Sequence, residues 1–131
     1  MIVIDASAAL EVLTRGPAAQ AVEARVFASD EILHAPELID LEVAQVLRRF
    51  VMARRMTLAL ADQAMARWRD TRLQRWAHQD LLPRVWSLRD TLNAYDASYV
   101  ALAEGMGVVL VTVDRKIARA SGHGARVEVL G

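Results

Sequence analysis

The 131-residue chain has no cysteine, which excludes disulfide bridges and cysteine-ligated zinc. Proline and glycine are sparse, at three and six residues, and no stretch of the sequence reads as a linker, a repeat or a low-complexity tract. Histidine occurs only at His34, His78 and His123, with no spacing that would gather a joint site, so each is expected to pack or to face solvent. No apolar run approaches the length of a membrane span. No basic segment precedes an apolar one at the N-terminus, where Asp5 interrupts any leader-like pattern. The expectation is a cytoplasmic protein with no membrane partner. Neither charge sign is in excess, with 16 basic and 16 acidic residues.

That balance hides an asymmetry. Residues 1–44 carry eight acids and two bases, residues 45–75 carry eight arginines and two acids, and the remainder holds six of each. An acidic cluster and a basic belt therefore coexist on one small body. What the chain has in abundance is apolar surface: 54% of residues are hydrophobic and the mean hydropathy is +0.19. One domain spanning residues 1–131 can bury a core at this length without staples. The apolar surplus suggests a dimer or a surface covered by a partner.

Strand and helix patterns alternate. MIVI reads as a buried strand, followed at once by the helical DASAALEVL. Gly16-Pro17 breaks that helix, and Pro17 suits the first turn of a second one running to about Phe27. EILHA is a short strand closed by Pro36. A long amphipathic helix follows, with apolar residues at 39, 43, 46, 47 and 50, and Thr57 caps another. The segment Arg75–His78 is ambiguous. DLLPRVWSLRD is expected to be helical with Pro83 in its first turn, and NAYDASYVALAEGMG is a helix ended by Gly105 or Gly107. GVVLVTVD is the strongest strand, DRKIARA a short helix and ARVEVL a last strand. This order predicts an α/β fold, a three-layer α/β/α sandwich around a central parallel sheet.

In an open parallel sheet, ligands bind beyond the carboxyl ends of the strands. MIVI ends in Asp5 and VVLVTV ends in Asp114. Glu42 and Asp96 lie on helices beside apolar neighbours: Leu38, Ile39 and Val46 for Glu42, and Tyr99, Val100 and Ala103 for Asp96. Each acid has an ordinary role open to it, since Asp5 and Asp114 could cap helices and Asp96 sits three residues after a possible cap, Asn93. Ionised carboxylates are costly in apolar surroundings unless paired. Four of them at one sheet edge call for interleaved basic groups or a hard divalent cation, and Mg²⁺ and Mn²⁺ favour such oxygen ligands.

Asp5 in IVIDASAAL, Glu42 in APELIDLEVAQVLRR, Asp96 in NAYDASYVALAEGMG and Asp114 in LVTVDRKIA together resemble the PIN-domain ribonucleases. Within them the chain resembles the VapC type, the toxin half of bacterial toxin–antitoxin pairs. The resemblance implies that these four acids bind one or two Mg²⁺ or Mn²⁺ ions and are the catalytic residues of an endoribonuclease. It also gives Thr112, in T-x-D, the task of orienting Asp114 or a water, and Ser7 a place near the first acid. Ser7 could equally bond its own backbone. Asn93 stands where many relatives have Thr or Ser, and can still cap its helix. Lys116 and Ile117 stand where some relatives carry a further acid, which leaves substrate phosphate to complete any second ion site.

Such a site hydrolyses a phosphodiester with activated water, leaving 5′-phosphate and 3′-hydroxyl ends. The 2′-hydroxyl is then a bystander, and RNA must be chosen by shape and pocket contacts. Arg48, Arg49, Arg54 and Arg55, with Arg67, Arg69, Arg72 and Arg75 beyond them, are candidate RNA contacts. For Trp68, Trp76 and Trp86 a core or interface role is expected ahead of base stacking. The resemblance further implies a homodimer and a cognate VapB-type antitoxin that blocks the acidic groove, promoter DNA being met only through that antitoxin. An aspartyl-phosphate phosphohydrolase would need an Asp where Ser7 stands, and a receiver domain would need a different acid cluster and a strand-end lysine. A non-catalytic PIN-fold scaffold is the alternative from another class.

Overall fold

The computed structural model describes residues 1–27 and 30–131. Its strands are β1 (Ile2–Ile4), β2 (Leu33–Pro36), β3 (Gln74–Trp76), β4 (Val109–Thr112) and β5 (Val127–Val129). They form one sheet in the order β3-β2-β1-β4-β5, every neighbouring pair being parallel. In register, Ile2 pairs with both Leu33 and Val109, and Ile4 with Val111. Strands β1 and β2 are buried along their whole length, as expected of parallel strands covered on both faces.

The helices are α1 (Ala6–Leu13), α2 (Ala19–Val22), α3 (Ile39–Met52), α4 (Leu58–Asp70), α5 (Leu82–Ser87), α6 (Ala94–Met106) and α7 (Arg115–Arg119). From β1 the chain steps outward through β2 to β3, then returns to β4 on the other side of β1. With right-handed crossovers this places α1–α4 on one face and α5–α7 on the other, giving the expected α/β/α sandwich. Contacts agree: α1 packs on α2, α3 and α4, whereas α6 packs on α5 and against β1, β2 and β4. Helix α6 is nearly apolar all round and every residue from Ala97 to Ala103 is buried, so it forms the centre of its layer. It ends at Gly107, whose φ of 67° is the left-handed turn that a Cβ would oppose. Among the described residues no helix is long and apolar enough to cross a membrane.

Three details differ from the sequence reading. The second helix begins at Ala19, two residues after Pro17, and winds on as a π-type turn over Glu23–Phe27. Pro36 is itself the last residue of β2, where the sequence reading has it close the strand from just beyond; there its missing N–H interrupts little of the ladder. The ambiguous segment is the edge strand β3, which carries Arg75 and Trp76. The histidines are all structural. His34 accepts a bond from Trp76 Nε1 at 3.0 Å, His78 accepts one from the Leu38 N–H at 3.1 Å, and His123 accepts one from the Ala125 N–H at 3.2 Å.

Candidate active site

Strand β1 lies at the point where the sheet order reverses, so connections leave its two flanks toward opposite faces. Asp5 and Asp114 stand just past the carboxyl ends of β1 and β4, which are adjacent strands. Glu42 in the first turns of α3 and Asp96 in the first turn of α6 reach the same edge from the two helical layers. All four carboxylates line one open groove of about 600 Å³, with Ser7, Gln45, Arg49, Tyr95 and Tyr99 among its other walls. The four acids singled out in the sequence are thus neighbours along one groove.

The acids are held by local structure. Asp5 caps α1, accepting from the Ala8 N–H at 3.0 Å, and is only 5% exposed. Ser7 Oγ donates to Asp5 Oδ1 at 2.7 Å, and Thr112 Oγ1 donates to Oδ2 at 2.5 Å. Each hydroxyl has one proton, so both are committed to Asp5, and the 3.1 Å approach of Ser7 to Thr112 is contact more than bond. Their remaining lone pairs accept backbone N–H groups: Val113 on Ser7 at 3.1 Å and Asp114 on Thr112 at 2.9 Å. Ser7 therefore bonds across to β4 and does not turn back on its own helix. Asp114 caps α7 through the Lys116 N–H at 2.9 Å. Asn93 caps α6, accepting from the Asp96 N–H at 2.8 Å. Helix starts at Asp5, Asp96 and Asp114 turn positive dipole ends toward the groove, which offsets part of the acids' repulsion.

Burial, and after it the remaining repulsion, shows in the protonation of Asp5, Glu42 and Asp96. Burial, first, raises the Asp5 carboxyl above its ordinary 3.8 against the pull of three donors, and Asp96 adds to the rise. Burial raises Glu42 above 4.5, with the Tyr99 hydroxyl opposing and Asp5 and Asp96 assisting. Burial and then the charge of Asp114 raise Asp96, partly relieved by Lys116. A group whose folded value is raised stabilises the fold below its unfolded value and loses that contribution as pH rises through the folded one. Without divalent ions the protein is therefore expected to melt at higher temperature near pH 5 than near pH 8. Below pH 4 stability falls again, because Asp40, Glu31 and Glu104 are held below their ordinary values by Arg75, the N-terminal ammonium and Arg84. Melting curves across pH 3–9, with and without Mn²⁺, check this; a saturating ion should remove the alkaline loss.

The donors that face the groove are oxygens suited to a hard cation. Among the described residues no three His, Asp or Glu side chains stand close enough together to hold a metal ion as they are. An open groove of spread carboxylates fits Mg²⁺, which binds through one or two carboxylates and keeps several waters. Of the arginines, Arg49 lines the groove. Arg55 stacks over Phe50 at 4.6 Å, and Arg48 and Arg54 are exposed on and just beyond α3. Arg75 is committed elsewhere, donating to both oxygens of Asp40 at 2.7 and 2.9 Å. Trp68 is core and donates its Nε1–H to the same Asp40 at 2.8 Å. Trp76 bonds His34, and exposed Trp86 lies under Arg89 at 5.1 Å. None of the three tryptophans lines the groove; the exposed aromatic that does is Tyr95.

Tyr99 was not singled out by sequence, although the signal existed. A tyrosine on the buried side of α6 must find a partner for its hydroxyl. Here it donates to Glu42 Oε1 at 2.6 Å.

The PIN domain family matches residues 2–122. VapC ribonuclease Mb0985 of Mycobacterium bovis is 43% identical over 117 residues, 89% of this chain and 88% of the relative. Ribonuclease VapC12 of Mycobacterium tuberculosis is 36% identical over 99% of both chains. The crystal structure of VapBC2 from Rickettsia felis, bound to a DNA fragment from its promoter, contains a chain with the same fold. It is 13% identical with a TM-score of 0.71, over the full length of both chains. With its four acids on one sheet edge and relatives matched over most of their length, the chain belongs to the PIN-domain family, within its VapC branch.

Proposed function

We propose that this chain is a divalent-metal-dependent endoribonuclease and the toxin of a VapBC-type toxin–antitoxin pair. The observation that carries this reading is the convergence of Asp5, Glu42, Asp96 and Asp114 on one groove at the switch point of the sheet, in a chain similar to named VapC ribonucleases. When bound, Mg²⁺ or Mn²⁺ supplies an activated water at neutral pH and relieves charge on the phosphoryl group. Asp5, pinned by three donors, provides a rigid anchor for the ion. Asp96 in the first turn of α6, Asp114 at the cap of α7 and Glu42 in α3 would hold it together with Asp5. Thr112 sets the Asp5 carboxylate and the backbone of Asp114 in one register. Arg49 draws the substrate's phosphate into a groove that would otherwise repel it. The products are 5′-phosphate and 3′-hydroxyl ends.

A cytoplasmic homodimer held inactive by a cognate VapB-type antitoxin completes the proposal, with promoter DNA reached through the antitoxin. Support comes from exposed apolar side chains such as Leu41, Leu82 and Trp86. A second groove, of about 550 Å³ between α1, α2 and α4, is lined by Val12, Leu13, Phe27 and Trp68. The test is cleavage of total cellular RNA by antitoxin-free protein with Mg²⁺, with Mn²⁺ and with EDTA, followed by mapping of fragment ends. Discrete cuts bearing 5′-phosphate and lost with EDTA are expected. No cleavage by folded, partner-free protein under any divalent ion would overturn the enzyme and leave a scaffold.

A further inference from the structure

We infer that Tyr99 is a positioning residue for the metal site, fixing Glu42 through its hydroxyl. This rests on the nuclease reading above. Glu42 is the one member of the four with the longer glutamate side chain, and so has the most rotamer freedom to lose. Asp5 is clamped by Ala8, Ser7 and Thr112, and Asp114 is tied to the start of α7. Glu42 lines the groove and has the Tyr99 hydroxyl, which donates to Oε1 at 2.6 Å. Tyr99 itself is 1% exposed, so its ring is fixed by packing and the hydroxyl is presented from a rigid base.

Position on α6 adds a second reason. Tyr99 lies one turn after Asp96, so the same helix carries one acid into the groove and orients another. Helices α3 and α6 belong to opposite layers, and the Tyr99–Glu42 bond spans them beyond the end of the sheet. Asp96 and Glu42 are thereby set at a fixed separation by the packing of one ring.

The test titrates Mn²⁺ into the full, antitoxin-free chain and follows free Mn²⁺ by its paramagnetic resonance signal. Tyr99→Phe keeps the ring and removes the hydroxyl. It should raise half-saturating Mn²⁺ by about tenfold, and the Mn²⁺ needed for half-maximal RNA cleavage should rise in step. Glu42→Ala should also weaken binding, and adding Tyr99→Phe to it should change nothing further. Unchanged Mn²⁺ binding in Tyr99→Phe would overturn the assignment, as would an equal loss in the Glu42→Ala background; binding by the unmodified chain would leave the nuclease reading standing in either case. An unmodified chain that binds no Mn²⁺ would overturn both.

Should Tyr99→Phe fail to fold, fluorine resonance decides instead. The chain has two tyrosines, so 3-fluorotyrosine in a Tyr95→Phe chain reports Tyr99 alone. Mg²⁺ should shift that resonance when Glu42 is present and leave it unmoved in Glu42→Ala. No shift with Glu42 present, or the same shift without it, would overturn the assignment.

Discussion

Asp96→Asn is expected to abolish RNA cleavage and, in the same protein freed of metal, to raise the melting temperature. The two effects have opposite signs because the same charge is responsible for both. Asp96 is half-buried with Asp114 beside it, and its carboxyl is raised above the ordinary value by burial and by that neighbour. In the absence of a cation the folded chain bears this repulsion without return. Asparagine is close to isosteric, and the cap of α6 is made by Asn93 to the backbone N–H of residue 96, which the substitution keeps. Removing one like charge from such a cluster should stabilise the metal-free fold by on the order of 1 kcal/mol, or about 4 °C for a domain of this size. With the charge go the ligand and the balance that makes a divalent ion bind. A loss of at least about 10³-fold in cleavage is expected, equivalent to about 4 kcal/mol of transition-state stabilisation. Mn²⁺, which should raise the melting temperature of the unmodified chain, should leave Asp96→Asn where it was. Parallel melting curves and cleavage assays read both signs. A variant that melts lower without metal would show that Asp96 serves the fold, and cleavage that persists would move the chemistry elsewhere.

How much of this could be read from sequence divides along a physical line. Asp5 and Asp114 were legible because a parallel strand must be apolar, so a carboxylate at its end stands out, whereas the adjacency of the two strands is settled only by the sheet order. Helices with strong caps were legible for the same local reason: Thr57 and Asn93 both cap as expected. Edge strand β3 was not, because it pairs on one side only and its residues Gln74 and Trp76 remain exposed, so no apolar run marks it. The fate of the arginines was illegible too. Arg75 and Arg49 are chemically alike, and only tertiary placement assigns one to Asp40 and the other to the groove. Bonds that cross between layers, such as Tyr99 to Glu42 over 57 positions, leave no periodic trace in a single sequence. The same holds for the tryptophans: Trp68 is buried by the packing of α4 on α3, which periodicity anticipates, whereas the His34 partner of Trp76 is fixed by strand order.

Thr112→Val is expected to cost about a hundredfold in cleavage and to destabilise the fold as well, so here the two signs agree. Thr112 is fully buried at the end of β4, and valine matches its shape and its preference for strands. Only the hydroxyl is lost. That oxygen donates to Asp5 Oδ2 and accepts from the Asp114 N–H, linking the ends of β1 and β4. Its removal leaves a buried carboxylate oxygen and a backbone N–H without those partners, a loss of about 2–3 kcal/mol. Asp5 then stays protonated to higher pH, since burial already raises its carboxyl and the strongest opposing donor is gone. An incoming cation must displace that proton and also order a carboxylate now free to turn, which is the usual reason that outer partners of a metal ligand are worth 10–100-fold. The loss should therefore be greatest at low pH and partly recovered as pH rises, a dependence that mere loosening of the strand would not produce. Thr112→Ser restores the oxygen at the expense of one buried methyl, about 1 kcal/mol, and should recover most of the cleavage with little of the pH dependence. Measuring cleavage against pH for threonine, serine and valine separates the hydroxyl's electrostatic task from its packing. Equal profiles for all three would show that Asp5 is oriented by Ser7 and Ala8 without help from β4.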